Sequence, residues 1–513
     1  MKEIIHWLNS IVWSPALVIF ILGLGFLFTI KTKFVQFKYI KEMIKLTFSG
    51  SKSTAGISSF QAMSMSLGSR IGIGNIAGVA TAITLGGPGA IFWMWILAFI
   101  SASIAFAETT LAQIYKVKQN GEYRGGAPYY INKGLNKKGL ALLFAGITMI
   151  SMTLLVPGIQ VNTIALSMDQ AFGLQPSITA IILVILLATI IFGGVKRIAR
   201  AAEMVVPIMA IGYISICIII LLVNITSIPS VVGIIINSAI NPTSTFGGII
   251  GSAISWGVQR GAFSNAAGFG SETFETAASE VSHPVKQGLV QALSVYITTI
   301  IICSATAFMI LITGMYNIQL ENGTIVKDNI GNVEAGASNV QMSIETLFPG
   351  FGSAFVAIAT FFFAFTSLIT YSYKAESSLA FFNSERKKVI KWPLIVLKIG
   401  FLIIVYYHSV NSAALAWSFG DLGFGIMAWM NMLALIFLVK PVVVALKDYD
   451  AQRKKGIDPI FNPKKLGIKG ADFWEEEYYH EIEKEVKSKK YVNSTMKTIK
   501  IQKVLSYTKN NIN

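Results

Sequence analysis

The chain has 513 residues, of which 53% are hydrophobic and only 13% are charged, and its formal net charge is +16. Soluble domains carry about 25% charged residues, so this composition excludes a soluble protein and indicates an integral membrane protein. The two cysteines and four histidines are scattered and offer neither a disulfide framework nor a metal-ligand spacing. A positive charge can indicate a nucleic acid partner, but basic loops on one side of a membrane explain it better, and we expect no nucleic acid.

Eleven apolar stretches are long enough to cross a bilayer, at about 20 residues each. They lie near residues 11–30, 57–85, 90–115, 140–168, 178–194, 204–224, 244–274, 288–314, 351–373, 393–409 and 412–439. The first follows Glu3 and lacks a small-residue cleavage site, which predicts a spanning helix and no cleaved signal peptide. After it, residues 33–48 place apolar side chains three or four apart among lysines, as in an amphipathic helix on the inner leaflet.

Basic and non-basic loops alternate along the chain. Lys and Arg concentrate at 31–56, 116–138, 195–203 and 386–391, whereas the connections at 86–89, 169–177, 225–243 and 315–350 are uncharged or net acidic. The connection that fits this alternation weakly is 275–287, where Glu275 and Glu280 outnumber Lys286. By the positive-inside rule, we expect a multi-pass protein of the cell membrane with its N-terminus outside and its C-terminus in the cytoplasm.

Two short stretches in this pattern resemble each other. Arg70-Ile-Gly-Ile-Gly-Asn-Ile-Ala-Gly-Val79 and Arg260-Gly-Ala-Phe-Ser-Asn-Ala-Ala-Gly-Phe269 share Arg, Asn, Ala and Gly at the same spacing. Polar, Gly-rich interruptions at corresponding places in two halves are typical of discontinuous helices that line a transport site. Such backbone cannot face lipid, so it must face protein or a water-filled cavity. The alternative is two tight helix crossings, where Gly lets backbones approach.

The spans also divide into two halves. After the first span, five lie in residues 57–224 and five in 244–439, and each of the two stretches falls in the opening helix of its half. Because five is odd, consecutive copies of such a unit must be inverted. We therefore predict an all-α polytopic fold with eleven transmembrane helices and a five-plus-five inverted-repeat core, in which the first and sixth core helices are discontinuous. Residues 1–56 would form an N-terminal span and inner-leaflet segment, and 440–513 a cytoplasmic tail, partly helical, partly disordered and solvated.

A break in the helix around Leu67–Asn75 would free backbone groups for binding. Free N–H groups at a half-helix N-terminus suit a carboxylate, and free carbonyls suit a cation such as Na⁺. Asn75 and Asn265 can donate and accept at once, which matches a substrate with both an ammonium and a carboxylate group. Each Asn could instead only cap the adjacent half helix.

Few ionisable residues lie deep in the predicted spans, which argues against a long proton relay. Glu108 and Asp421 are intramembrane acids with either a functional or a structural role. Arg70 and Arg260 are expected to pair with carbonyls or acids near the breaks and to help gates close.

Further polar positions occur in two other spans. Gln160 follows Pro157-Gly158, which would kink its helix and could turn the amide toward the centre. Hydroxyls cluster in an otherwise Phe-rich span, at Thr366, Ser367, Thr370, Tyr371 and Ser372. A hydrogen bond back to a carbonyl of the same helix explains any single hydroxyl, but five hydroxyls in so short a stretch indicate a polar helix face directed at a site.

Several motifs together resemble the alanine or glycine:cation symporter family, which includes sodium:alanine symporters. They are Arg70-Ile-Gly-Ile-Gly-Asn-Ile-Ala-Gly-Val-Ala80, Leu85-Gly-Gly-Pro-Gly-Ala90, Phe92-Trp-Met-Trp95, Ala107-Glu-Thr-Thr-Leu-Ala-Gln113, Arg260-Gly-Ala-Phe-Ser-Asn265 and His283-Pro-Val-Lys-Gln-Gly-Leu-Val-Gln291. The similarity runs from about residue 10 to 440. It implies a leucine-transporter-like fold of the amino acid–polyamine–organocation type, with Na⁺- or H⁺-coupled uptake of small neutral amino acids.

The resemblance also implies site residues. Substrate contacts would come from Ile73, Gly74, Asn75, Gln160, Phe263, Asn265 and Tyr371. A sodium ion would be held by carbonyls of Gly68 and Ile71 and by hydroxyls of Thr366 and Ser367.

Three departures from the family pattern surround this pocket. Ala266 stands where Glu is usual, Ile73 where a small polar residue is common, and Tyr371 where Trp is usual. One methylene in a pocket changes selectivity by only about 1–3 kcal/mol, so alanine, glycine and serine all stay open as substrates.

The sequence therefore predicts a symporter, not an enzyme, that imports a small neutral amino acid of the alanine or glycine type with Na⁺ by alternating access. Na⁺ is favoured because a site of hydroxyls and carbonyls needs no titrating group. The alternatives are an H⁺-coupled or differently selective transporter of the same fold, a channel, which tandem inverted halves disfavour, and a membrane enzyme, for which no His, Cys or paired-acid cluster is visible. We expect a monomeric functional unit surrounded by lipid and no organic cofactor.

Overall fold

The computed structural model of the chain describes residues 2–49, 55–240, 250–320, 323–331, 333, 335–384, 392–411 and 413–478. Within these ranges the protein is helical apart from two short antiparallel hairpins, Val117–Gln119 with Glu122–Arg124 and Ile318–Gln319 with Ile325–Lys327. The α-helices are Lys2–Val12, Pro15–Lys31, Val35–Lys38, Ile40–Phe48, Ser59–Arg70, Ala77–Gly86, Gly89–Ile114, Ala127–Leu135, Lys138–Ile150, Pro157–Phe172, Pro176–Ile191, Gly194–Val223, Ile228–Ile240, Ile250–Asn265, Thr273–Ala277, Pro284–Val295, Ser304–Thr313, Ala337–Glu345, Gly352–Phe382, Trp392–Ser409, Ala413–Phe437, Val439–Lys454 and Pro463–Leu466.

Eight of the described helical segments are long and apolar enough to cross a membrane. They are Glu3–Lys31, Gly89–Ile114, Lys138–Phe172, Gly194–Val223, Pro284–Thr313, Gly352–Phe382, Trp392–Ser409 and Ala416–Phe437. The other three predicted spans correspond to the shorter helix Pro176–Ile191 and to two helices that are interrupted. An all-helical fold is thus confirmed, while the count of eleven spans stays a prediction. Residues 241–249, at the start of the predicted 244–274 span, lie outside the described residues.

The first broken helix consists of Ser59–Arg70, a 3₁₀ turn at Ile73–Asn75, and Ala77–Gly86. Its first half begins with a reciprocal cap in which Ser58 accepts from the Gln61 N–H and Gln61 accepts from the Ser58 N–H. The helix ends at Arg70, since the following Ile71 has a ψ of 64°, which is not helical, and Gly72 is extended. The predicted break therefore lies directly after Arg70.

The second broken helix consists of Ile250–Asn265 and the short helix Thr273–Ala277. Between them the chain turns through three positive φ angles, at Ala266 (50°), Gly268 (89°) and Gly270 (71°). Glycine tolerates this conformation without steric cost, whereas Ala266 is strained by its Cβ. The second predicted break is confirmed, but it begins after Asn265, so Arg260 lies inside the helix and the two motifs do not share one local structure.

The two broken helices run in opposite directions through the protein. Ile57, just before the first, pairs with Ser279, just after the second, while Ser252 near the start of the second donates to the Leu85 carbonyl near the end of the first. We call the side with residues 115–137 and 278–283 the basic face and the side with residues 314–320 and 323–331 the opposite face. Each break is packed inside the bundle, where Ile73, Asn75 and Asn265 are fully buried.

Residues 439–478 pack against the basic face. Tyr449, Phe461 and Trp474 are fully buried, and the Trp474 indole donates to the Gln113 carbonyl at 2.8 Å. Residues 440–478 are partly helical, as predicted, in Val439–Lys454 and Pro463–Leu466, whereas these aromatic side chains are buried and not solvated, although the segment has no apolar stripe. The rest of the predicted tail, 479–513, and the basic residues 386–391 lie outside the described residues.

Candidate functional site

Gln160 connects the first break to the long helix Gly352–Phe382. Its Oε1 accepts from the Ile73 N–H at 3.2 Å, and its Nε2 donates to the Tyr371 hydroxyl at 3.3 Å. Gly72 makes this approach possible, since a Cβ there would lie 3.0 Å from Gln160 Oε1 and 2.7 Å from Ser367 Oγ. A π-helical turn at Ser151–Leu155 precedes the helix Pro157–Phe172, which carries Gln160. Three residues predicted for the site, Ile73, Gln160 and Tyr371, are thus brought together.

Asn75 has an unused acceptor. Its Nδ2 donates to the Thr298 backbone carbonyl at 3.1 Å, and the Asn75 backbone carbonyl accepts from the Thr306 hydroxyl at 2.8 Å. Its Oδ1 is buried and has no hydrogen-bond partner in the described part of the chain. Buried acceptors nearly always have a partner, so this oxygen needs an explanation such as ligand binding.

Phe263 covers the neighbouring part of the break. A Cβ on Gly74 would lie 2.8 Å from the Phe263 ring, so the ring packs directly on the Gly74 backbone. The same ring contacts Trp417 and Phe424, with centroids 5.7 Å and 5.1 Å away. Tyr371 also reaches Phe424, at 6.4 Å. Aromatic rings therefore enclose the first break next to Gln160.

Both polar groups of the Asn265 side chain have partners. Its Nδ2 donates to the Ser101 hydroxyl at 3.0 Å, and its Oδ1 accepts from the Ala267 N–H at 3.0 Å. These contacts shape the second break, in line with the capping alternative. Contact between Asn265 and a substrate stays a prediction.

Oxygen atoms from two helices meet beside the first break. The Ser367 hydroxyl donates to the Gly68 carbonyl at 2.9 Å and lies 3.4 Å from the Ser69 carbonyl, and the Thr366 hydroxyl donates to the Gly68 carbonyl at 3.2 Å. Ile71 is the C-cap residue of the same half helix. Carbonyl and hydroxyl oxygens at a half-helix C-terminus are suitable ligands for Na⁺.

A buried charge cluster that the sequence did not predict lies next to these oxygens. Lys374 donates to Ser69 Oγ at 2.6 Å and to Glu272 Oε1 at 2.7 Å, and its Nζ lies 3.5 Å from Glu275 Oε1. All three charged residues have side chains no more than 1% exposed. The prediction that few ionisable residues lie deep in the spans considered Glu108 and Asp421 and did not include this cluster, in which Glu275 and Lys374 lie just beyond the predicted span ends. The available signal was a pair of acids three residues apart, directly after the Gly-rich break.

The structure confirms that both arginines pair near the breaks. Arg70 Nε lies 4.0 Å from Glu272 Oε2, and its guanidinium donates to the Ser294 hydroxyl and, at 3.4 Å, to the Gln291 carbonyl. Arg260 forms two hydrogen bonds to Asp421, at 3.1 and 3.0 Å. The pairs lie on opposite sides of the first break, Arg70 toward the basic face.

Glu108 is held by the second break. Its Oε2 accepts from the backbone N–H groups of Gly268 and Gly270, both at 3.2 Å, and from Asn431 Nδ2 at 3.0 Å. A carboxylate that collects backbone N–H groups satisfies donors that the broken helix leaves free. Glu108 thus has a structural role at this turn.

Two cavities lie toward the opposite face, with volumes of about 400 and 480 Å³. Both are lined by Val333, Ala335 and Trp417, and the larger reaches Arg260. The smaller reaches Ala77, the first residue after the break. Space is therefore available on the side of Arg260, whereas the described side chains around Arg70 are buried charged and polar groups.

The comparisons with known proteins show the family of the chain. The family model described as the sodium:alanine symporter family matches residues 1–463. The carrier protein YrbD of Bacillus subtilis (strain 168) is 54% identical over 484 residues, covering 94% of this chain and 100% of its own length. The sodium/proton-dependent alanine carrier protein of Bacillus sp. (strain PS3) is 47% identical over 447 residues, covering 87% of this chain and 100% of its own.

A more distant relative matches a similar share of the chain at lower identity. The sodium/alanine symporter AgcS of Methanococcus maripaludis (strain DSM 14266) is 35% identical over 461 residues, covering 88% of this chain and 98% of its own length. The residues matched by the family model, 1–463, include both broken helices and the long helix that carries Ser367.

Proposed function

The chain belongs to the sodium:alanine symporter family, and we propose that it imports alanine together with Na⁺ by alternating access. Its family and relatives are transporters and not enzymes, and its apolar helices make it a multi-pass membrane protein. The observation that carries the proposal is the first break, where Gln160 binds the freed Ile73 N–H next to the Gly68, Thr366 and Ser367 oxygens.

The substrate is a small zwitterion that lies between the two broken helices. Its carboxylate is bound by free N–H groups at the start of Ala77–Gly86 and by the N–H of Gly74 in the 3₁₀ turn, while Ile73, whose N–H is bound by Gln160, lines the pocket beside it. Its ammonium group approaches the unpartnered Oδ1 of Asn75. The remaining pocket residues are Gln160, Phe263, Asn265 and Tyr371. Close packing of Phe263 on Gly74 supports a side chain as small as that of alanine, and glycine is the second candidate.

Na⁺ is bound by the carbonyls of Gly68 and Ile71 and the hydroxyls of Thr366 and Ser367. These residues belong to the first broken helix and to Gly352–Phe382, so a cation between them holds two separate elements together. The ion thereby stabilises the arrangement in which Gln160 joins Ile73 to Tyr371. Coupling to H⁺ in the same fold is the alternative, and the name of the Bacillus sp. relative includes both ions.

The proposed architecture has eleven spans, with inverted repeats in residues 57–224 and 244–439 and the basic face in the cytoplasm. The antiparallel course of the two broken helices supports the inversion. Under this orientation Arg260 and Asp421 close the outer side of the site, and Arg70, Glu272 and Lys374 close the inner side. One monomer contains a complete site.

Uptake into proteoliposomes tests this function. The purified chain should accumulate radiolabelled alanine when an inward Na⁺ gradient is imposed at equal pH on both sides. Unlabelled alanine and glycine should compete more strongly than glutamine or leucine. Uptake that ignores the Na⁺ gradient but follows a pH gradient would favour the H⁺-coupled alternative, and competition by a larger amino acid alone would refute the proposed substrate.

A further inference from the structure

Tyr213 and Thr306 form a buried hydrogen-bonded chain that ends at the backbone of Asn75. The Thr306 hydroxyl lies 2.8 Å from the Asn75 backbone carbonyl and 3.2 Å from the Ile302 backbone carbonyl. The Tyr213 hydroxyl lies 2.8 Å from the same Thr306 oxygen. Tyr213, Thr306 and Asn75 are all fully buried. Each of these polar groups therefore depends on a protein partner in place of water.

The direction of this chain follows from the number of protons that it contains. A hydroxyl group has one proton to donate, whereas a carbonyl oxygen only accepts. Thr306 therefore donates to a carbonyl, of which that of Asn75 is the nearer, and it accepts from the Tyr213 hydroxyl. The phenol of Tyr213 thus holds the Thr306 hydroxyl in the orientation that binds the Asn75 backbone.

The Asn75 side chain is held by the segment directly before Thr306. Its Nδ2 donates to the Thr298 backbone carbonyl at 3.1 Å, inside the π-helical turn Tyr296–Cys303. π-Helical turns alter the backbone register locally and often occur at functional sites. The same turn also contacts the second broken helix, because the Ser264 hydroxyl lies 3.0 Å from Cys303 Sγ. One segment therefore contacts both broken helices.

These contacts decide which atom of the Asn75 side chain is available to a substrate. If the amide were turned over, Oδ1 would lie against the Thr298 carbonyl, and two acceptors would be in contact. Nδ2 therefore occupies that position, and Oδ1 is left without a hydrogen-bond partner in the described part of the chain. Thr306 holds the backbone of Asn75 and Thr298 holds its side chain. Groups that are fixed before a ligand arrives bind it at a lower entropic cost.

We propose that Tyr213 and Thr306 are positioning residues of the substrate site, which fix Asn75 so that its Oδ1 receives the ammonium group of the amino acid. Both residues act through Asn75 and do not touch the substrate themselves. Tyr213 also packs its ring against Phe363, with centroids 5.5 Å apart, and so connects Asn75 to Gly352–Phe382. The role of both residues rests on the proposed function, since it requires that Asn75 contacts the substrate.

Thr306→Val tests the role because it keeps the shape of the side chain and removes only the hydroxyl. The Asn75 carbonyl loses its donor, so the dissociation constant of radiolabelled alanine for the purified full-length chain should rise about tenfold. The Michaelis constant for uptake should rise likewise, with a smaller change in the maximal rate. Thr306→Ser keeps the hydroxyl and should bind alanine nearly as well as the wild type.

Thr313→Val is the matched control in the same helix. The Thr313 hydroxyl bonds back to the Met309 and Ile310 carbonyls, at 2.7 and 3.4 Å, which are local contacts of the kind that Thr306 makes to Ile302. This variant should bind alanine as the wild type does. A loss of affinity in Thr313→Val equal to that in Thr306→Val would overturn the proposal, because local bonding within the helix would then explain both.

Adding Tyr213→Phe to Thr306→Val separates positioning from stability. Thr306→Val alone leaves the buried Tyr213 hydroxyl without its acceptor, which should lower the melting temperature. The double variant removes that unpaired hydroxyl and should regain much of the melting temperature. Its alanine affinity should stay about tenfold weaker than that of the wild type, because the Asn75 carbonyl still lacks a donor. Recovery of melting temperature and affinity together would show a merely structural role and refute the proposal.

Hydrogen exchange provides a readout that needs no substrate. Without added amino acid, amides in peptides that cover residues 72–80 should exchange faster in the double variant than in the wild type, because the first break is held less firmly. Faster exchange together with a wild type that binds no alanine would keep the hold of Thr306 on Asn75 and refute the proposed function. Alanine binding by the wild type with unchanged affinity and exchange in the double variant would refute the positioning role.

Discussion

The guanidinium of Arg260 and the carboxylate of Asp421 form two hydrogen bonds, at 3.1 and 3.0 Å, between the second broken helix and Ala413–Phe437. The rings of Trp256 and Trp417 lie over the guanidinium, with centroids 5.2 and 5.0 Å away. Because Arg260 lines a cavity and its helix carries Phe263, we infer that this pair is the outer gate of the site.

Asp421→Asn removes one charge of this pair and leaves Arg260 uncompensated. Breaking a buried ion pair from one side costs about 3–5 kcal/mol. We expect a lower melting temperature and slower alanine uptake in proteoliposomes. The double variant Arg260→Met with Asp421→Leu should recover much of the stability, but not the transport. Wild-type uptake by Asp421→Asn would contradict a gating role.

Gln160→Ala removes the hydrogen bonds to the Ile73 N–H and the Tyr371 hydroxyl. Two hydrogen bonds contribute about 0.5–1.5 kcal/mol each, so alanine affinity should fall about tenfold. Tyr371→Phe, which loses only the hydroxyl, should have a smaller effect. Binding of radiolabelled alanine to the purified variants measures both. Equal affinity in Gln160→Ala and wild type would exclude Gln160 from holding the break.

Ser367→Ala and Thr366→Ala each remove one hydroxyl from the proposed ion site. The Na⁺ concentration that gives half-maximal uptake should rise about tenfold in each, because a cation loses one oxygen ligand. Thr370→Ala is the control, since its hydroxyl only bonds back to the Thr366 and Ser367 carbonyls at 2.9 and 2.8 Å. Unchanged Na⁺ dependence in both site variants would place the ion elsewhere.

Trp474→Ala should destabilise the protein, because the indole is fully buried against the basic face and donates to Gln113. Truncating a buried Trp costs about 3–5 kcal/mol. Melting followed by size-exclusion chromatography in detergent measures the loss. Trp392→Ala is the comparison. Because Trp392 is 66% exposed, this variant should melt at a temperature close to that of the wild type. Equal melting of the two variants would mean that residues 439–478 do not stabilise the fold.

Local sequence signals predicted the breaks well. Gly-rich backbone inside apolar helix-length segments predicted both interruptions. Arg70 and Arg260 contact acids, Glu272 and Asp421, as expected of buried cations. Sequence spacing could not show that the second break begins after Asn265, since a positive φ at Ala266 depends on tertiary contacts such as Asn265 with Ser101.

The charged cluster was harder to predict. Glu272 and Glu275 follow a turn and resemble loop acids, and Lys374 comes from a helix far away in the chain. Only the packing of three separate elements places these charges together. The burial of Trp474 could likewise not be predicted from the sequence, because its segment is too short and irregular to show a helical apolar stripe.

Alanine binding as a function of Na⁺ concentration tests the central claim most directly, that the broken helices bind substrate and ion together. In the wild type, the alanine dissociation constant should fall as Na⁺ rises, and alanine should tighten Na⁺ binding by the same factor. Asn75→Ala and Asn265→Ala should abolish transport while leaving expression and membrane insertion intact, and Asn75→Ala should lose this Na⁺-linked binding. An alanine affinity that is independent of Na⁺ and unchanged in Asn75→Ala would contradict the account.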